Sequence, residues 1–197
     1  LIICAMLNLL CQSSPYCTRK DAFPHTDAKV INMIILGIDP GLAIVGYGVV
    51  SYENNSFITL AHGAITTPAH TDIAERLSTI YDDLNTLIRM YRPDDIAIEE
   101  LFFYHNQTTG IEVAEARGII LLCAQQNHLN IFEYTPMQVK QAVVGYGRAE
   151  KKQVIELTRQ ILHLKVAPKL DDTADALAIA ICHAHTGSSR IKQYFNR

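Results

Sequence analysis

The chain has no tryptophan, aromatic residues make up only 8% of it, and neither charge sign dominates overall, with 17 Lys and Arg against 20 Asp and Glu in 197 residues. Its five cysteines (Cys4, Cys11, Cys17, Cys123 and Cys182) include no CxxC pair and no Cys/His spacing of a zinc site. Those absences exclude a zinc ribbon, a dithiol redox motif and a disulfide scaffold. Cys123 and Cys182 sit in apolar helical patterns, where a free thiol is a small hydrophobe. This usage suits a reducing compartment, hence the cytoplasm. From residue 33 onward no apolar run is long enough to span a bilayer, so no membrane role is expected. Internal repeats and low-complexity linkers are missing too, which rules out a solenoid. What is present is a chain that is 49% hydrophobic and long enough for one domain with a substantial core.

Residues 1–32 read differently from the rest. Leu1–Cys11 is apolar, but no charged segment precedes it and no clean small-residue cleavage site follows. Residues 12–32 are polar and aperiodic. We expect the fold to begin at Met33, with 1–32 an extension that is disordered or lies ahead of the true start. A cleaved signal peptide is the alternative. The expected division is 1–32 extension, 33–188 a single α/β domain and 189–197 short tail.

From Met33 the pattern alternates between strand and helix. Met33-Ile34-Ile35-Leu36-Gly37-Ile38 is a continuous apolar run that reads as a buried strand, and it stops at Asp39-Pro40-Gly41. Gly46–Tyr52 and Phe57–Ile65 follow with a Glu53-Asn54-Asn55-Ser56 turn between them, giving a three-strand antiparallel meander. Ile73, Leu77, Ile80, Leu84, Leu87 and Ile88 then form one helical stripe, with Asp72 as cap, Glu75 placed to close a capping box, and Pro93 beyond the end. Asp95–Glu99 is a fourth strand, 107–127 a long helix and Ile131–Tyr134 a fifth strand. Thr135-Pro136-Met137-Gln138 starts a short helix that stops at Gly145-Tyr146-Gly147, and another helix spans 149–162. The last helix, about 171–185, is apolar all round after its first turn, as expected of a helix buried between layers. Asp171 is expected to be its N-cap. The order β-β-β-α-β-α-β-α-α-α implies an α/β domain: a mixed five-stranded sheet, meander plus parallel strands, with helices on both faces.

Four carboxylates fall at the ends of these elements. Asp39 ends strand one and Glu99 ends strand four. Asp172 and Asp175 lie three residues apart on one face of the last helix, with Ala176, Ile179 and His183. Taken singly, each acid can be explained as a turn or cap residue. Together in one partly dry cleft they would repel each other and pay heavily for desolvation. Divalent cations resolve that conflict, and Mg²⁺ favours carboxylates with water and phosphate oxygens. A pair of such ions suits phosphodiester hydrolysis. Between Lys140 and Lys169 there are seven basic residues (Lys140, Arg148, Lys151, Lys152, Arg159, Lys165 and Lys169) against two acidic ones, a local excess of either a phosphate-facing patch or a solvated face.

Three segments, Gly37-Ile38-Asp39-Pro40-Gly41, Ala97-Ile98-Glu99-Glu100 and Asp172-Thr173-Ala174-Asp175-Ala176-Leu177-Ala178-Ile179-Ala180, resemble in order the three acidic motifs of the RuvC family of crossover junction endodeoxyribonucleases. Phe132-Glu133-Tyr134, Gln138–Gly145 and Ala149-Glu150-Lys151 are also similar, so the resemblance runs from Met33 to about His185. It implies an RNase H-like fold, a homodimer, and symmetric Mg²⁺-dependent cleavage of a four-way (Holliday) DNA junction in recombination and repair. Two Mg²⁺ per site are implied, with Mn²⁺ as a substitute. Asp39, Glu99, Asp172 and Asp175 would then be catalytic metal ligands. Lys140 and Lys151 match lysines that contact DNA, Arg148 and Lys152 extend that patch, and Phe102 matches an aromatic that stacks on bases near the crossover. A branch-migration helicase complex of RuvA and RuvB is the implied partner. Asp171 is an additional acid beside the helix motif. Two other readings are open to the sequence: an actin-like nucleotide-binding protein, for which a single body this short is insufficient, and a junction-binding protein without catalysis.

Overall fold

The computed structural model describes residues 32–100 and 107–187; Phe102, Phe103 and Tyr104 lie outside them. The described strands are β1 (Met33–Asp39), β2 (Ile44–Glu53), β3 (Ser56–Thr66), β4 (Asp95–Glu99) and β5 (Asn130–Tyr134). The described helices are α1 (Ile73–Tyr91), α2 (Gln107–Gln126), α3 (Pro136–Val144), α4 (Lys151–Ile161) and α5 (Asp171–Gly187). One mixed sheet in the order β3-β2-β1-β4-β5 holds all five strands. The meander is antiparallel, and β4 and β5 add in parallel beside β1. The expected α/β architecture is therefore present, and strands one and four are neighbours.

Strand alternation sorts the sheet into two faces. Leu36, Ile38, Val45, Val49, Ile96 and Ile98 pack on one side with Ile80, Leu84 and Ile88 of α1 and Ala116, Ile120 and Cys123 of α2. Ile35, Val50, Ala97 and Tyr134 pack on the other with Val139 and Val143 of α3, Val154 of α4 and Leu177, Ile179 and Ile181 of α5. The result is three layers, helix–sheet–helix. Each large aliphatic side chain buried fully in these clusters contributes about 1.5–3 kcal/mol. No helix among the described residues is long and apolar enough to cross a membrane.

Helix ends follow local chemistry. Thr135 caps α3 in a reciprocal box with Gln138 and with Pro136 at the start, and Gly145 ends it at φ +93°. Asp72 Oδ1 accepts from the Ala74 amide at 2.8 Å, so that cap bond falls one residue short of Glu75. Two expectations need correction. The 149–162 helix begins at Lys151, because Glu150 and Gln153 form its capping box. Asp171 is the first helical residue of α5 rather than its N-cap, and its carboxylate meets Lys151 instead.

Buried within the α5 layer is a polar chain that no sequence pattern announces. His183, fully buried, meets Asp95 Oδ2 through Nε2 at 2.8 Å and the Tyr134 hydroxyl through Nδ1 at 2.7 Å. Asn130 donates to Asp95 Oδ1 at 2.9 Å, and Thr186 Oγ1 donates to the Tyr134 oxygen at 3.1 Å. Burial raises the Asp95 pKa, but the hydrogen bonds from His183 and Asn130 more than offset it and hold the carboxyl below its ordinary value. An ionised Asp95 only accepts, so His183 Nε2 carries the hydrogen of that contact. This network ties α5 to the start of β4 and the end of β5.

Candidate active site

The faces that build the core also aim the acids. Ile35, Gly37 and Asp39 share one parity along β1, and Asp95, Ala97 and Glu99 share one along β4. The parallel register pairs Ile35 with Asp95 and Gly37 with Ala97, so its continuation sets Asp39 beside Glu99, both directed toward α5. Helix α5 lies across that face because glycines let it. A Cβ at Gly37 would stand 2.1 Å from the Ala176 carbonyl oxygen, and one at Gly46 would stand 2.0 Å from that of Asp172. Backbone meets backbone there, so the first turn of α5 comes down at the end of β1, and Asp172 and Asp175 arrive next to Asp39.

The electrostatics report how close the four acids are. Asp39 is pushed up from 3.8 to about 8, first by burial and then by the charges of Glu99, Asp175 and Asp172. Glu99 is raised by burial and by Asp175, with Lys151, Lys140 and a hydrogen bond with Asp39 acting against the shift. Asp175 is likewise raised, by burial foremost, while Lys151 pulls it down. The cluster thus carries more negative charge than the protein around it offsets. Carboxylates are the oxygen donors that a hard divalent cation prefers, although among the described residues no group of three His, Cys, Asp or Glu side chains is placed to hold a metal ion as it stands.

Cations of the protein itself line the same cleft. Glu99, Lys140, Lys151 and Asp175 share it with Pro136, Val139, Val154 and Ile179. Lys151 Nζ lies 3.1 Å from Asp175 Oδ2 and 3.2 Å from Asp171 Oδ2. Lys151 and Lys152 both occupy the first turn of α4, where the helix dipole disfavours cations and favours anions. Arg148 and Lys152 are exposed, whereas Lys140 is half-buried. One member of the expected patch is neutralised: Arg159 grips Glu156 with Nη2–Oε1 at 2.6 Å and Nε–Oε2 at 3.0 Å. Phe102, the expected stacking residue, lies outside the described residues.

The structure therefore brings Asp39, Glu99, Asp172 and Asp175 together and sets Lys140 and Lys151 beside them. Missed by the sequence reading are the glycine floor under α5 and the lysine bridge to Asp171 and Asp175. Gly37 and Gly46 offered a signal, since glycine inside a strand marks a close backbone approach. The bridge left none, because it joins residues on separate helices.

Comparison with known proteins places this geometry. The family model for crossover junction endodeoxyribonuclease RuvC matches residues 35–183, a span that includes all four acids. The crossover junction endodeoxyribonuclease RuvC of Alkaliphilus oremlandii is 58% identical over 156 residues, covering 79% of this chain and 95% of the relative. That of Clostridioides difficile is 54% identical over 154 residues, covering 78% and 91%. Among solved structures, Thermus thermophilus RuvC in complex with a Holliday junction substrate matches with a TM-score of 0.74 and 37% identity, over 77% of this chain and 93% of that one. The five-stranded mixed sheet is accordingly the RNase H-like fold. By family model, by identity over nearly the whole length of its relatives and by fold, the chain belongs to the RuvC family of crossover junction endodeoxyribonucleases.

Proposed function

We propose that this protein is a structure-specific endonuclease that resolves four-way DNA junctions by divalent-metal-dependent phosphodiester hydrolysis, acting in homologous recombination and repair in the cytoplasm. The observation that carries the reading is the crowded carboxylate cleft, in which burial first, and then the charges of Glu99, Asp175 and Asp172, push Asp39 up to about 8. The relatives' names and the junction complex of the Thermus thermophilus protein support the same substrate. The catalytic domain is assigned to residues 33–188.

Asp39, Glu99, Asp172 and Asp175 are the residues that hold the metal, Mg²⁺ by preference and two ions per site, with Mn²⁺ able to substitute. Divalent cations held by these carboxylates would supply Lewis-acid chemistry, making a water more acidic and offsetting negative charge on a phosphate. The chain's own residues do the rest. Lys140 and Lys151 hold phosphates at the cleft, and Arg148 and Lys152 extend that grip along the backbone, supplying salt-dependent affinity. Phe102 stacks on an unpaired base near the crossover. The products carry 5′-phosphate and 3′-hydroxyl ends. Two opposed cuts require two clefts related by a two-fold axis, so the working form is a homodimer. RuvA and RuvB are the proposed partners that deliver the junction.

The test is direct. A synthetic mobile junction and a linear duplex of the same sequence are incubated with the protein and Mg²⁺. Nicking confined to the junction supports the proposal; equal nicking of the duplex rejects structure specificity.

A further inference from the structure

Lys151 is placed to do more than touch DNA. Its ammonium sits 3.1 Å from Asp175 and 3.2 Å from Asp171, on acids of the first two turns of α5. Asp175 belongs to the crowded cleft, with about a third of its side chain exposed, whereas Asp171 stands at the rim with 64% exposed. The exposed neighbour Lys152 takes part in none of the ion pairs among the described residues. One lysine of the pair therefore reaches inward to an acid of the cluster, and its other partner lies outside that cluster.

We infer that Lys151 is a built-in counter-cation that competes with the divalent ion for Asp175, with Asp171 as the post that retains the lysine at the cleft when the ion takes its place. The inference rests on the proposed reading of the four acids as the metal site. Its physical basis is simple. An ammonium and a divalent cation cannot both sit on one carboxylate oxygen without strong repulsion at that distance. Without the lysine the acids of the cleft would repel one another with less to offset them, so Lys151 steadies the metal-free protein and yields when metal arrives. Asp171 keeps the displaced ammonium within reach of the phosphate that the same cleft accepts. Loading of the ion and release of a phosphate-binding cation are thereby one event.

Mn²⁺ binding to the DNA-free protein, followed by the electron paramagnetic resonance of free Mn²⁺, tests this without cleavage. Lys151→Met should bind Mn²⁺ more tightly, by up to about fivefold, since a partly exposed pair contributes up to roughly that factor. Lys152→Met removes the same charge from the same turn and should change affinity less than about twofold. In an Asp175→Asn background the gain from Lys151→Met should fall below about twofold, since only the weaker pull of the ammonium on the other acids is left. Lys151→Gln repeats the measurement with a polar side chain should the methionine variant fold poorly. Equal affinities for the Lys151 and Lys152 variants, or a gain that persists undiminished in Asp175→Asn, overturns the inference while leaving the metal site standing. If Asp39→Asn binds Mn²⁺ as the unaltered protein does, the carboxylate reading fails, and this inference with it.

Discussion

Replacing Asp39 with asparagine should end cleavage and yet make the metal-free protein more stable. In the fold this carboxyl is pushed from 3.8 to about 8, chiefly by burial and by Glu99, Asp175 and Asp172. At pH 7 the unfolded chain has lost that proton while the folded chain keeps it. Each tenfold difference in that preference is about 1.4 kcal/mol, so the site costs roughly 4 kcal/mol when taken alone. Asparagine has the shape of the neutral acid and bears no charge at any pH. Burying the neutral amide still costs about 1–3 kcal/mol, so about half of that cost is recovered, ~2 kcal/mol. For a domain of this size the gain corresponds to a rise in Tm of about 4–8 °C. Thermal unfolding in a chelating buffer at pH 7 measures it, beside binding and cleavage of a labelled junction. The sign of the pH effect follows. A carboxyl raised in the fold costs stability above its unfolded value, so unaltered protein without metal should gain stability as pH falls from 8 toward 4. The Asp39→Asn variant should show a shallower rise. A variant that melts below the unaltered protein in chelator would mean that Asp39 is a structural turn residue, and the crowding argument would be wrong.

Three further expectations follow from particular contacts. Lys140→Ala should weaken junction binding across all sequences and lower the slope of log affinity against log salt by about 1, measured by fluorescence anisotropy; an unchanged slope removes Lys140 from the phosphate contacts. Gly46→Ala should cost about 3 kcal/mol or more in chemical denaturation, because the added Cβ would lie 2.0 Å from the Asp172 carbonyl and helix backbone cannot yield as a flexible side chain does. His183→Ala should cost about 3 kcal/mol by leaving Asp95 and Tyr134 buried without their shared partner, and a loss under 1 kcal/mol in the same assay would show that the network is dispensable.

How much of this was legible in the sequence depends on the range of the signal. The continuous apolar run from Met33 and the helical stripe from Ile73 to Ile88 are strong local signals, and the structure has a strand at Met33–Asp39 and a helix at Ile73–Tyr91. Asp39 and Glu99 could be found because each ends an apolar run abruptly, and Asp172 and Asp175 because a buried helix rarely carries two acids on one face. That four acids would meet depended on strand order and on how closely α5 lies against the sheet, which Gly37 and Gly46 decide through atoms they lack. The Asp95–His183–Tyr134 chain was invisible because its members come from three elements and each has an ordinary solitary explanation. The basic run between Lys140 and Lys169 overstated the patch, since Arg159 is held by Glu156 within its own helix. Lys151, read as a DNA contact, lies on Asp171 and Asp175 in the fold, a pairing between two helices that spacing along the chain does not encode.

Where and how a four-way junction is cut tests the role of the carboxylate cleft most directly. The ends produced from a 5′-labelled mobile junction should be mapped on all four strands, with Mg²⁺ and with chelator. Paired cuts at symmetry-related positions on two opposed strands are expected, leaving 5′-phosphates that a ligase reseals, together with their complete loss in chelator and in Asp39→Asn. Cutting that persists in chelator, or that survives in Asp39→Asn, would contradict the assignment of hydrolysis to the carboxylate cleft.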